Sequence, residues 1–239
     1  MLIRSTVPLS EGPFPLASSA IIDAVAEENL VELLRQGSKC WNEYRQQHSV
    51  QAPDFSGADL NGVNLREANL QEAYLLHADL AGACLHRAKL SGAQAQGANL
   101  EAADLREAQL QRADLSAANP HGADLRDADL QEAILSKADL SESYLRGAKL
   151  CRARLWHTNL CNAYLLNADL QLAECMETFF VNVMLSGAQG LDSMHHITNS
   201  TVDHRTLSRN PHLPEKFLRA CGVPDFLIQN RSAFAEDSA

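Results

Sequence analysis

The stretch that decides the fold is "ADLREAQLQRADL", residues 103 to 115, with leucines at 105, 110 and 115 and alanines at 103, 108 and 113. Five steps around a helix carry a side chain about 140° from its predecessor, and five steps along a strand flip it to the other face. Neither element keeps an every-fifth residue on one side. A coil that turns through about a right angle every five residues does: four pentads close a square, and every leucine points into it.

Extended outward, the period covers most of the chain. From Phe55 to Leu185 there are 27 pentads, and 22 of them carry Leu at the central position; the exceptions are Phe55, Ala95, Pro120, Cys175 and Phe180. Two residues before that position Ala stands in 21 of the 27, as a narrow lumen with no room for a second large side chain requires. The other three positions face water and are read as free to vary. Coils stack by backbone hydrogen bonds at the inter-strand spacing of about 4.8 Å, each resting only on its neighbours, so nearly seven coils make a tower on the order of 30 Å long. Ala95 takes volume from the lumen and Pro120 removes a ladder donor, so Pro120 is read as marking an irregular turn.

The segments "ADLREAQLQRADL", "GADLRDADLQEAIL" and "NADLQLA" resemble the pentapeptide-repeat family, whose pattern is A(D/N)LXX, over residues 53 to about 190. The resemblance implies an all-β solenoid, a right-handed quadrilateral β-helix of about seven coils, here with α-helical caps at both ends. "WNEYR" followed by "PDFSGADL" is similar to the lead-in of many bacterial members, and the closing segment to C-terminal pieces of cyanobacterial ones. The motif says little about function. Members that protect topoisomerases are similar in shape and charge to duplex DNA.

Open tower ends invite aggregation unless covered, and the flanks read as covers. Residues 1–18 form a Pro- and Ser-rich N-terminus, read as flexible. Residues 19–52 form a helical cap, with an amphipathic helix from Ser19 to Gly37, then "SKCWNEYRQQH" with Ser38 at the N-cap and Trp41 and Tyr44 over the first coil. The β-helix occupies 53–190, and 191–239 form a second cap with short helices, one between Pro214 and Gly222 and one in "PDFLIQ", ahead of a frayed "RSAFAEDSA". "FLRACGVPDFLI" is more apolar than a simple cap requires, which offers a homodimer contact through the C-terminal segment.

The chain has 239 residues, a net charge of −10 and an apolar share of 46%. That acidity argues against direct nucleic-acid binding, which needs concentrated Lys and Arg. No apolar run approaches the roughly 20 residues of a membrane span, and "MLIRSTVPLSEGPFP" lacks a secretory pattern, so a soluble cytoplasmic protein without membrane insertion is expected. Six scattered cysteines without a CxxC pair are expected as free thiols.

No phosphate loop, HExxH or GxSxG is present, and the frequent Asp belongs to the repeat. No catalytic residue, cofactor or metal is assigned; His195, His196 and His204 in "HHITNSTVDH" match no common zinc spacing and are read as cap residues. Function must therefore lie on the faces, where a lateral position recurs every 20 residues. One face stacks Arg66, Arg106, Arg126 and Arg146, with His86 in the gap and Glu67, Glu107 and Asp127 alongside, a ladder read as self-compensated. A neighbouring face, with Asp59, Asp79, Glu101, Asp139 and Glu142, is negative and free of Lys and Arg. Apolar residues intrude elsewhere: Tyr74 and Leu76, expected under the N-terminal helices, and Ile134, Trp156, Met176, Phe179, Tyr164 and Leu166, expected under the C-terminal segment. Trp156, Tyr144, Tyr164 and Ile134 with the arginines are the candidate partner surface. The expected function is a non-enzymatic protein-binding or scaffold protein, the alternative a DNA-mimicking protector or inhibitor of a type II topoisomerase (gyrase).

Overall fold

The computed structural model describes residues 30–230. Two helices, α1 (Leu30–Arg35) and α2 (Ser38–His48), precede the tower. Parallel bridges then join residues 20 apart, four to a coil, as in Asp59↔Asp79, Asn64↔Cys84, Asn69↔Lys89 and Tyr74↔Gln94. The result is a right-handed quadrilateral β-helix whose lumen is filled by the predicted leucines and alanines; Leu105 and Leu125 are buried one above the other. Where the rungs lengthen they form strands: β1 (Arg154–Trp156), β2 (Glu174–Met176), β3 (Phe179–Phe180), β4 (His195–His196) and β5 (Thr201–Val202). Three short helices follow, α3 (His204–Arg209), α4 (Glu215–Ala220) and α5 (Asp225–Gln229).

From Phe55 to Leu170 each corner is a four-residue turn closed by a hydrogen bond, such as Ala58 N–H to the Phe55 carbonyl at 3.0 Å, whereas the corners after Cys175 and Phe180 are open bends. The residue two after the lumen position has positive φ in every pentad from Gly57 to Gly187, between 49° and 73°. A positive φ at the second central residue is the type II pattern. The residue before the lumen position fixes the other side of the corner. Asp54 Oδ1 accepts from the Ser56 N–H at 2.9 Å, Asp114 from Ser116 at 2.9 Å and Asp169 from Gln171 at 3.0 Å. This Asx bond is the physical reason for Asp or Asn in the repeat. Two of the three outward positions are thus constrained by the backbone, contrary to the expectation that all three vary freely.

The ladder is polar along the tower axis. Leu60 N–H donates to the Asp79 carbonyl (2.7 Å), Asp79 N–H to the Ala58 carbonyl (2.9 Å) and Gly62 N–H to the Ala81 carbonyl (2.8 Å). Per pentad, the N-terminal edge therefore presents one N–H and two carbonyls, and the C-terminal edge two N–H groups and one carbonyl.

Pro120 stays in register: Leu100 N–H reaches the Asn119 carbonyl at 2.9 Å, and Ala123 N–H reaches the Pro120 carbonyl at 3.1 Å. The turn is regular, and only the bond that Pro120 would donate to the Asp139 carbonyl is lost. Past the last repeat the ladder continues where the sequence period stops. β4 pairs with β2 through Glu174↔His195, an offset of 21, and β5 with β3 through Phe179↔Thr201, an offset of 22. Inserted residues break the five-residue pattern without breaking the stacking.

Of the expected amphipathic helix, Leu30–Arg35 is helical and residues 1–29 lie outside the described range, as do 231–239. Gly37, with φ of 107°, occupies the N-cap position of α2 instead of Ser38, which is the first helical residue. The C-terminal helices sit where the prolines predicted them, with Pro214 and Pro224 at their N-caps. The helix α3 was not foreseen.

Candidate functional site

Among the described residues the helices close the ends and do not lie over the faces; Tyr74, Tyr164 and Phe179, expected beneath the terminal segments, are exposed, as is Tyr144. At the N-terminal end Trp41 is buried on Phe55, ring centroids 5.2 Å apart and edge to face. Its Nε1 donates to the Asn69 carbonyl at 2.7 Å, joined there by Arg45 Nη1 at 2.7 Å. Arg45 Nη2 reaches the Gln71 carbonyl and Arg35 Nη2 the Asp59 carbonyl, each at 2.7 Å. Asn42 gives Nδ2 to the Glu67 carbonyl (3.0 Å) and accepts the Asn69 N–H (2.7 Å). Tyr44 is half-buried against the core and stacks on His48.

At the C-terminal end Phe217 meets Phe180 edge to face at 5.4 Å. Asp203 Oδ1 accepts from Asn182 N–H at 2.8 Å, Thr206 Oγ1 from Val183 N–H at 3.1 Å and Asn210 Oδ1 from Leu185 N–H at 2.7 Å. Burial works to raise the Asp203 pKa, but the bonds from Asn182 and Thr206 outweigh it and hold the carboxyl below its usual value. His196 packs against Phe217 at 5.7 Å, and burial, with a smaller contribution from Lys216, lowers its pKa. Among the described residues no group of His, Cys, Asp and Glu is placed to hold a metal. His195 and His204 are exposed cap residues. All six cysteines are free, and burial pushes the Cys175 and Cys221 thiols up to about 12, which makes both poor nucleophiles.

The arginine column is compensated, but by other partners than its nearest glutamates. Arg106 forks onto Asp104 at 2.8 and 2.7 Å, and Arg126 onto Asp124 at 2.8 and 2.6 Å. The Arg106 hydrogen bond holds the Asp104 carboxyl below its ordinary pKa against the opposing effect of burial. Glu107 pairs with Arg87 at 2.8 Å, in the coil above. Arg66 does pair with Glu67, at 3.5 Å, whereas Arg146 has no ion-pair partner among the described residues. Tyr144 and Tyr164 stand on this same face, stacked with centroids 5.1 Å apart and planes 6° from parallel.

Trp156 does not join them. The lumen positions beneath these side chains, 155 against 145 and 165, differ by half a coil, so the tryptophan faces the opposite way and the expected single surface splits into two. The Arg154 guanidinium lies over the indole at 4.6 Å, and Arg154 approaches Glu174 at 3.7 Å; Ile134 is half-buried on the same face. The indole Nε1 is buried without a hydrogen-bond partner among the described residues.

The acidic face is tied internally by amides. Asn99 donates to Asp79 at 3.0 Å and Asn159 to Asp139 at 2.9 Å, while His121 and Ser141 lie 2.9 Å apart and Ser141 donates to Asp139. Glu101 and Glu142 are exposed, and Asp59 lies against Arg35 of α1 at 4.0 Å. The fourth face carries a shallow groove of about 720 Å³ beside Arg45, lined by Gln71, Gln111, Gln131 and Arg112. No helix among the described residues is long and apolar enough to cross a membrane.

The model for the family of pentapeptide repeats matches eight copies within residues 54–174. Among solved structures, HetL, a pentapeptide-repeat protein involved in heterocyst differentiation regulation from Nostoc sp. strain PCC 7120, is 30% identical; the match covers 64% of this chain and 80% of that one, with a TM-score of 0.43. Another Nostoc PCC 7120 protein, alr5209, is 34% identical over 47% of this chain and 84% of its own, with a TM-score of 0.29. Trypsin-treated QnrB1, a plasmid-mediated fluoroquinolone resistance protein, is 21% identical over 65% of this chain and 81% of its own, with a TM-score of 0.32. No curated protein matches the chain.

Proposed function

We propose that this chain, which belongs to the pentapeptide-repeat family, is a non-enzymatic binding module that holds another protein against a flat face of its tower in a scaffolding or regulatory role. The observation that carries this reading is the closure of both ends: the helices satisfy the edges with hydrogen bonds, and among the described residues the faces are the extended surfaces open to a partner. The repeat fixes those side chains about 4.8 Å apart on a stiff backbone, which lowers the ordering cost of association. Most of the repeat's acids are engaged in Asx bonds and ion pairs, which supports a binding role over acid–base chemistry.

A photo-crosslinking residue placed at Tyr144, or on the opposite face at Trp156, tests the reading in the native host. Capture of a protein from one face and not the other is the expected result, and no protein captured from either face would overturn it. Self-crosslinks would identify a second copy as the partner. For a homodimer through the C-terminal segment, Phe226, 63% exposed on α5, is the natural contact, and sedimentation of Phe226→Ser against wild type decides it.

A second reading, protection or inhibition of a type II topoisomerase by imitation of DNA, is favoured by the face that bears Asp59, Asp79, Glu101, Asp139 and Glu142 without a Lys or Arg at its outward positions. Charge density weighs against it. Duplex DNA carries one negative charge per roughly 1.7 Å, so 30 Å would need nearly twenty, whereas residues 53–190 hold 18 acids and 11 bases. Unchanged gyrase supercoiling and drug sensitivity at micromolar protein would remove this alternative.

A further inference from the structure

The arginine column repeats in sequence but changes character halfway down. At Arg106 and Arg126 the residue two positions earlier is an aspartate that takes the guanidinium in a two-pronged hydrogen bond. One coil further, the aspartate's slot is held by Tyr144. Arg146 keeps the exposed position of its column and loses its internal carboxylate. The remaining nearby acid, Asp127, lies against Gly147, where a Cβ would collide with its Oδ1, and forms no ion pair with Arg146.

Around this guanidinium, unpaired among the described residues, the face turns apolar. Tyr144 and Tyr164, 47% and 38% exposed, stand as parallel rings on one side. Leu166 occupies the position one coil below Arg146 and is half-buried. On the other side Gly147 adds no side chain, and the Asp127 carboxylate lies against it. A cation two residues from an aromatic stack, with an apolar side chain about 4.8 Å below it, combines residue types that dominate protein contacts. The stacked rings are already ordered, so a partner gains their contact area without freezing them.

We infer that Tyr144, Tyr164, Arg146 and Leu166 form a recognition site for a protein segment that presents a carboxylate beside an apolar side chain. The partner's carboxylate replaces, at Arg146, the aspartate that the coils above supply from within the chain, and its apolar neighbour packs on Tyr164 and Leu166. This inference rests on the reading of the faces as docking surfaces and adds the chemistry of the occupant.

The test is selection of a phage-displayed random peptide library on the immobilised full-length protein, followed by binding measurements with a synthetic selected peptide. Wild type is expected to enrich Asp or Glu next to Leu, Ile, Met or an aromatic residue. Arg146→Gln should weaken the peptide about tenfold or more, as loss of a charge-assisted pair predicts. Changing the peptide's Asp to Asn should cost wild type the same factor and cost Arg146→Gln nothing further. Tyr144→Ala with Tyr164→Ala should abolish binding, and Arg112→Gln, on the fourth face, should leave it unchanged; thermal melts establish that each variant is folded. Enriched sequences without an acid, or binding indifferent to Arg146→Gln, would overturn the inference. Binders insensitive to the tyrosine variants would overturn this site while leaving the binding-module reading standing, and the absence of any binder would count against both.

Discussion

The two ends of the tower do the same job with opposite chemistry. At the N-terminal edge the covering helices contribute donors, the guanidinium groups of Arg35 and Arg45, the Trp41 indole and the Asn42 amide, to exposed carbonyls. At the C-terminal edge α3 and the residues on either side of it contribute acceptors, Asp203, Thr206 and Asn210, to exposed N–H groups. The difference follows from the ladder itself, which leaves an excess of carbonyls at one edge and of N–H groups at the other. Parallel stacking gives every β-solenoid of this kind two unlike ends, and a cap built for one is electrostatically wrong for the other. Both ends nevertheless share an aromatic plug, Trp41 on Phe55 and Phe217 on Phe180.

The plugs carry the largest expected effects. Trp41→Ala and Phe217→Ala each remove a fully buried aromatic side chain, a change that typically costs about 3–5 kcal/mol. Coils rest only on their neighbours, so the damage should stay local. Hydrogen exchange is expected to show Tyr74 and Asp79 amides losing protection in Trp41→Ala while Leu165 keeps it, with the pattern reversed in Phe217→Ala. Equal loss along the whole tower in either variant would mean that the ends are coupled through the lumen.

Much of this molecule is legible in its sequence, and the rest is not for identifiable reasons. The leucine and alanine period gave the lumen, the register and the number of coils, because burial leaves a compositional trace at fixed spacing. The corner chemistry was only half visible: the Asp and Asn preference was plain, but the positive φ two residues after the lumen position is masked by residues such as Glu107 and Asp127 that accept it without glycine. The caps were visible as helices but not as hydrogen-bonding devices, since their targets are backbone groups with no sequence identity; Asp203, Thr206 and Asn210 betray themselves only as polar residues at α-helical spacing. The pairing on the arginine face escaped because Asp104, two residues before Arg106, and Glu107, one residue after it, are both within reach of its long side chain, and the rotamer decides between them. The splitting of Trp156 from Tyr144 and Tyr164, by contrast, was available from the 20-residue period alone.

A substitution at each edge sharpens the contrast between donor and acceptor caps. Thr206→Val keeps shape and leaves the buried Val183 N–H without its acceptor, which is expected to cost about 1–3 kcal/mol in urea denaturation. Arg45→Met removes two donors from partly exposed carbonyls that water can reach, and under about 1 kcal/mol is expected. Arg45→Glu should be worse than Arg45→Met, because it turns acceptors toward acceptors. Equal stability of the Met and Glu variants would mean that the polarity of this edge has no energetic consequence.

The smallest expected effect is a pH dependence that distinguishes the C-terminal cap. Burial against Phe217 lowers the His196 pKa from the ordinary histidine value of about 6.5. The folded cap therefore favours the neutral ring, and the associated stability is full above the unfolded value and falls as pH drops through the lowered folded one. Between pH 7 and 5 the amides of β4 and β5 should exchange faster relative to those of the first coil, and His196→Gln should remove that difference. Below about pH 4 a second loss at the same end is expected, since Asp203 is held below its ordinary pKa and its protonation weakens an acceptor that three hydrogen bonds use. A C-terminal cap whose exchange stays flat from pH 7 to 5 while the ring titrates would show that His196 can charge in place, turning outward from Phe217 toward solvent without loosening the helices.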